Sequence, residues 1–212
     1  PKLGDIHPTE FIAQAERTGM IQPLTAHVLD AAIKQLQRWK EEGNRFKLSF
    51  NLSPRILHDE HFSLALKGAI DNASINEADL ILEITETAIF LDPDNAMRIL
   101  SQLRDMGLSI AIDDFGTGYS SLSYLQKMPL SELKIDQSFI RDLDTKTADS
   151  VIVKSTIDLA HNLGLSVVAE GVQKPCHLEK LRDFGCDYAQ GFLISEPRTS
   201  ADISQWLNEQ GA

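Results

Sequence analysis

The sequence predicts an α/β fold of the closed (β/α) barrel type, and three observations predict it. Short apolar runs alternate with longer segments of helical period from about residue 20 onward. Gly43, Gly107, Gly164 and Gly185 each stand between a helical run and an apolar run, where a left-handed helix-terminating residue is wanted. Asn51, Glu83, Asp113, Asp136 and Glu170 each fall at or near the C-terminal end of a different apolar run, the end at which barrels gather their polar groups. An open doubly wound sheet starts from the same alternation, but its edge strands splay from a common point and its ligands collect at one switch point. Convergence of several strand ends on one mouth therefore favours the barrel.

Taken in order, a helix is expected over Ala26 to Glu42, then a strand over Phe46 to Leu52 and a helix from about His61 to Asn72. Leu80 to Thr85 reads as a strand, Asn95 to Met106 as a helix, Leu108 to Asp113 as a strand and Ser120 to Gln126 as a short helix. Glu132 to Asp136 and Leu165 to Glu170 read as strands on either side of a helix over Ala148 to Leu163. His177 to Phe184 completes that unit as a helix, Tyr188 to Ile194 is a weaker strand, and Ala201 to Glu209 is a closing helix. A closed barrel has eight strands, more than these runs supply, so the first one or two are expected to be absent from the beginning of the chain.

At 212 residues and 42% hydrophobic, the chain is long enough to bury a substantial core, and one domain over residues 1–212 is expected. No repeat, low-complexity tract or linker-like stretch interrupts it. The longest apolar stretches, such as Leu165 to Ala169, fall far short of the roughly 20 residues of a membrane helix. A net charge of −11 argues against sequence-independent binding to a nucleic acid duplex, which rests on many Lys and Arg contacts to phosphate. Cys176 and Cys186 match neither a CxxC redox pair nor a zinc ribbon, which fits a reducing, cytoplasmic setting, including the cytoplasmic part of a membrane-anchored protein.

The acids and the amide at the strand ends offer oxygen donors, the environment that hard divalent ions such as Mg²⁺ and Mn²⁺ prefer. One such residue alone reads as a cap or turn residue. Several on independent strands read as a site. Lys134, in Leu133-Lys134-Ile135-Asp136, is expected to share a strand face with Asp136, because side chains alternate with period two. A lysine among carboxylates beside a metal is the equipment of phosphoryl chemistry: the cation stabilises developing charge and a carboxylate handles the proton of an attacking water. Glu170 ends the apolar strand Leu165-Ser166-Val167-Val168-Ala169, where an unpartnered carboxylate is costly to bury. The six histidines, His7, His27, His58, His61, His161 and His177, show no zinc-ligand spacing and read as surface or packing residues. Neither a GxSxG nucleophile elbow nor a GxxxxGK[ST] phosphate loop occurs.

The run Asp113-Asp114-Phe115-Gly116-Thr117-Gly118-Tyr119-Ser120-Ser121-Leu122, followed by Leu133-Lys134-Ile135-Asp136 and Ala169-Glu170-Gly171-Val172, resembles the EAL phosphodiesterase family. Asn51-Leu52-Ser53-Pro54, Glu83-Ile84-Thr85-Glu86 and Gln190-Gly191-Phe192 match its other signatures in order, so the resemblance covers the whole chain. It implies a modified TIM-like (β/α) barrel that hydrolyses one phosphodiester of cyclic di-GMP to give linear pGpG, with Mg²⁺ or Mn²⁺, two ions, as cofactor. It further implies Asn51, Glu83, Asp113 and Asp114 as metal ligands and Glu170, Lys134 and Asp114 as catalytic residues. Glu86 is implied to brace the loop that begins at Asp114, with Asp136 and Gln190 in supporting places. That loop and its following helix, through Tyr124, imply a homodimer, and attached sensory domains accompany the family.

The Glu-Ala-Leu motif of the family lies on its first strand, and Pro1-Lys2-Leu3-Gly4-Asp5-Ile6 resembles the part just after its second, so the chain is expected to be an N-terminally incomplete domain. Gln173 stands where the family has a second Glu after Gly-Val, Gln137 where Arg is common, and Glu196 where a basic residue precedes Pro197. An alternative reading follows from these departures: a catalytically inactive EAL-like module that binds cyclic di-GMP or a partner protein.

Overall fold

The structure, a computed structural model, describes residues 6–57, 59–73, 75–117 and 122–210. It divides into two units, Pro1–Ile110 and Ala111–Ala212.

In the first unit, α1 (Pro8–Thr18) starts on a proline, whose fixed φ suits the first helical turn, and ends at the left-handed Gly19. Helix α2 (Ile21–Glu41) buries Ile21, Thr25, Leu29, Ile33, Leu36 and Trp39, spaced three or four apart along one face. The face ends with Trp39 meeting Phe46 edge to face, ring centroids 5.2 Å apart. Strand β1 (Leu48–Asn51), the short α3 (Pro54–Leu57), α4 (Glu60–Ala73) and β2 (Leu80–Thr85) follow. Next come α5 (Glu86–Leu91), whose first turn is capped by Thr85, and α6 (Pro93–Asp105), capped by Asp92. β1 and β2 pair in parallel, in register from Leu48 opposite Leu80 to Asn51 opposite Glu83. β2 is buried from Leu80 through Ile84, the continuous apolar run of a parallel strand covered on both faces.

Strand β3 (Ser109–Phe115) begins in the first unit and lies mostly in the second. After it come α7 (Leu122–Leu125), β4 (Glu132–Ile135), α8 (Gln137–Ile140), α9 (Thr147–Asn162) and β5 (Ser166–Ala169). The unit ends with α10 (Pro175–Asp183), β6 (Tyr188–Ala189) and α11 (Ser200–Gln210). The pairs β3–β4, β4–β5 and β5–β6 are parallel, and α9 packs Val153, Ile157 and Ala160 against β4 and β5. Among the described residues strand order follows chain order, β1-β2-β3-β4-β5-β6, with none of the reversal that marks a doubly wound sheet. Consecutive parallel strands joined through helices are the repeat of a TIM-like α/β barrel.

Leu80–Thr85 forms a strand as the pattern predicts. Helix α1 was not expected from the sequence, because Ala15 is its one buried residue and Phe11 and Ile12 stay exposed, leaving no apolar stripe to read. α5 and α8 follow their strands with no loop between, each begun by a residue whose side chain accepts a backbone N–H: Thr85 for Ala88 and Asp136 for Ser138. The segment read as a strand over Tyr188 to Ile194 pairs only at Tyr188–Ala189, then turns as the Ile194 and Ser195 N–H groups both donate to the Gly191 carbonyl. Of the expected helix from Ser120 to Gln126, Leu122–Leu125 is helical; Gly118, Tyr119, Ser120 and Ser121 lie outside the described residues, as does His58. Among the described residues no helix is long and apolar enough to cross a membrane.

Candidate active site

The parallel register of the first unit sets Asn51, the last residue of β1, directly opposite Glu83, near the C-terminal end of β2. The ladder continues one step, with the Leu52 N–H donating to the Glu83 carbonyl at 2.8 Å. Glu83 is buried although it carries a carboxylate. Glu86, three residues on, opens α5 and is 1% exposed. The segment after Asn51 is tied down by a contact the sequence did not disclose: Ser53 Oγ donates to Glu16 Oε1 on α1 at 2.7 Å.

The second unit gathers its chemistry around Lys134. The ammonium, 4% exposed on β4, lies 2.6 Å from Glu170 Oε1 and 3.3 Å from Asp113 Oδ1. Strand pairing fixes that meeting, since Lys134 stands opposite Val168 and the Glu170 N–H donates to the Ile135 carbonyl at 3.1 Å. Two carboxylates around one buried cation satisfy the rule that a buried charge must be paired.

Asp114 is held in the left-handed region at φ 54°, a conformation that Asp tolerates better than most residues. Its N–H donates to Asp113 Oδ1 at 3.0 Å, and its carbonyl accepts from Thr117 Oγ1 at 2.8 Å. Burial pushes the Asp114 carboxyl above its ordinary value, and the Asp113 and Asp136 charges push the same way against the lowering effect of Lys134. Carboxylate oxygens of Asp113, Asp114 and Glu170 lie within 4.8 Å of one another. An all-oxygen acidic donor set whose members repel one another fits a hard divalent cation, which would relieve the repulsion.

Asp136 and Lys134, the two charged residues of Lys134-Ile135-Asp136, both act on the Asp114 carboxyl. Asp136 stands just beyond the strand as the cap of α8, Oδ1 accepting from the Ser138 N–H at 3.0 Å, and acts on the cluster through its charge. Gln190 lines a cavity of about 230 Å³ together with Glu170, Gly171, Gln137, Gln173, Gly191 and Phe192. Two glycines shape that cavity. Gly171 has φ 68°, and a Cβ there would come within 2.5 Å of Gln137 Cβ; a Cβ at Gly191 would come within 2.3 Å of the Val172 backbone. Gln173, the departure from the expected glutamate, faces this cavity with an uncharged amide.

The histidines do more than their spacing suggests. His177 is buried, with Nε2 3.0 Å from Asp144 Oδ1, and His161 Nε2 lies 2.8 Å from Asp187 Oδ2. Both acids are distant in sequence, so no short motif could have disclosed either pair.

A family model described as EAL domain matches residues 1–197 of the chain. The bifunctional diguanylate cyclase/cyclic di-GMP phosphodiesterase MucR of Pseudomonas aeruginosa is 42% identical over 206 residues, covering 96% of this chain and 30% of that protein. Cyclic di-GMP phosphodiesterase PA2567 of the same organism is 36% identical over 210 residues, covering 98% of this chain and 35% of its own length. The chain therefore spans about a third of the length of these curated relatives. Among solved structures, one described as PaMucR phosphodiesterase in complex with c-di-GMP superposes with a TM-score of 0.92 at 39% identity, over 96% of this chain and 83% of that one.

Proposed function

The chain belongs to the EAL domain family, and from that premise we propose that it is a phosphodiesterase domain, spanning residues 1–212, that hydrolyses cyclic di-GMP to linear pGpG. The observation that carries this reading is the buried Lys134 ammonium between Asp113 and Glu170. The names of MucR and PA2567 as cyclic di-GMP phosphodiesterases, and the c-di-GMP complex of the matching structure, support the choice of substrate.

Hydrolysis adds water to one phosphorus and breaks its bond to a ribose 3′ oxygen, which leaves with a proton. Glu170 accepts the proton of the attacking water, and Lys134 compensates the charge that builds on the phosphoryl oxygens. Lys134 Nζ, 2.6 Å from Glu170 Oε1, also fixes where that carboxylate stands. Asn51 and Glu83 in the first unit, and Asp113 and Asp114 in the second, would serve as ligands to Mg²⁺ or Mn²⁺, two ions in all, which would supply charge neutralisation at the phosphate and acidify water. Asp114 adds a second carboxylate near the reacting water, and Glu86, buried at the start of α5, is a supporting residue of the first unit. Asp136 adds negative charge beside the Asp114 carboxylate, and Gln190 contributes an amide to the cavity beside Glu170. The reading extends to a cytoplasmic domain, joined to sensory domains, that pairs with a second copy through the loop and helix after Asp114.

Glu170→Gln in the full-length protein tests the assignment with Mg²⁺ present. The amide keeps size and some hydrogen bonding but cannot take a proton. Cyclic di-GMP should bind with little change by calorimetry, while pGpG release falls at least ~100-fold. Loss of binding and turnover together would recast Glu170 as a ligand or structural residue. Binding without any cleavage in the unsubstituted protein would favour the inactive binding module.

A further inference from the structure

The second unit carries another group of metal-ligating side chains that shares no residue with the carboxylate site. Asp144 lies between α8 and α9, while Cys176 and His177 stand in the first turn of α10, and one donor atom from each lies within 4.8 Å of the others. We propose that Asp144, Cys176 and His177 form a second metal site, for a thiophilic divalent cation of the zinc class.

The donors are thiol, imidazole and carboxylate, the set zinc takes, and three protein ligands leave a fourth position open. Metal–ligand bonds of about 2.0 to 2.3 Å place tetrahedral donors roughly 3.3 to 3.7 Å apart. His177 Nε2 to Asp144 Oδ1 is 3.0 Å and Cys176 Sγ to Asp144 Oδ2 is 3.9 Å, on either side of that range, and the three donor atoms lie within 4.8 Å of one another. The two segments are already joined, since Lys180 Nζ on α10 donates to the Leu143 carbonyl at 2.9 Å.

Two further observations point to a ligand. Asp144 already holds a cation: Lys174 Nζ lies 3.1 and 3.2 Å from its two oxygens. That ammonium sits on a half-exposed side chain that can swing into water, and exposed ion pairs are worth only about 0 to 1 kcal/mol. The second observation is the imidazole itself. His177 is 1% exposed, and its Nδ1 is buried without a hydrogen-bond partner among the described residues. With no partner bonded to Nδ1, nothing fixes the ring proton on Nε2, so the proton can sit on Nδ1 and leave the Nε2 lone pair to an ion.

Cobalt(II) is the probe, because a cobalt–thiolate bond gives a near-ultraviolet charge-transfer band that oxygen ligands cannot give. The reduced protein, with Mg²⁺ in excess, should develop this band on Co²⁺ addition and lose it when Zn²⁺ is added. Cys176→Ser should abolish the band and Asp144→Asn should weaken Co²⁺ binding about 10-fold or more. Cys186→Ser should change nothing, since burial pushes that thiol up to about 11 and it lies outside the cluster. No thiolate band in the unsubstituted protein, a band that survives Cys176→Ser, or unchanged affinity in Asp144→Asn would each overturn the site. The readout is independent of cyclic di-GMP turnover, so it fails or succeeds separately from the phosphodiesterase reading.

Discussion

Lys134 shows how much one side chain can be asked to do. It is buried with two acids, Asp113 on β3 and Glu170 just past β5, so removing its charge leaves them close together and uncompensated. Truncating one partner of a buried ion pair typically costs about 3 to 5 kcal/mol. Lys134→Met, similar in length and without charge, should therefore lower stability by about 3 kcal/mol in urea titrations without divalent metal. Mg²⁺ should restore part of the loss by supplying a cation to the same acids. A loss below about 0.5 kcal/mol would show that water, and not the ammonium, screens the pair. Lys134 and Glu170 were legible in the sequence because a charge that interrupts an apolar strand must be paired somewhere. That Asp136 also caps α8 through the Ser138 N–H was not legible, because a four-residue helix shows no period. The Asp144–His177 pair was invisible, because two residues 33 apart carry no periodic signal.

At the scale of elements, strands and long helices were legible wherever burial imposed a period, as in β2 and α6. Short helices such as α8 were not, since capping alone makes them. The junction of α9, β5 and β6 adds a polar tie of the same hidden kind. Asp187 Oδ2 accepts from the Val167 N–H at 2.8 Å and meets His161 Nε2 at 2.8 Å, joining the strand start to the helix end. Burial works to raise the Asp187 carboxyl, but the hydrogen bonds from His161 and Val167 outweigh it and hold the group below its ordinary 3.8. The unfolded chain therefore binds a proton at Asp187 more readily than the folded one, so stability rises with pH through this range. This contribution should be complete above about pH 4, the ordinary range of an aspartate, and lost as acid titrates the folded carboxyl. Urea midpoints measured between neutral pH and pH 3 should fall less steeply in Asp187→Asn than in the unsubstituted protein. Equal slopes would remove Asp187 from the acid response.

For the molecule as a whole, stability rests on apolar side chains sealed between strands and helices. Leu82 in β2 is 0% exposed, whereas Leu64 in α4 is 72% exposed. The same substitution should then have opposite weight: Leu82→Ala should cost about 2 to 5 kcal/mol, and Leu64→Ala no more than about 0.5 kcal/mol. Denaturant midpoints check both, and comparable losses would mean that Leu64 is covered in solution. The fold class was legible because a parallel sheet writes its alternation into the chain, and strand order equal to chain order left no topology to guess. That order also bears on how the protein is made. Each of the six described strands finds a sheet neighbour in the next one to leave the ribosome, so pairing among them can advance in the direction of synthesis.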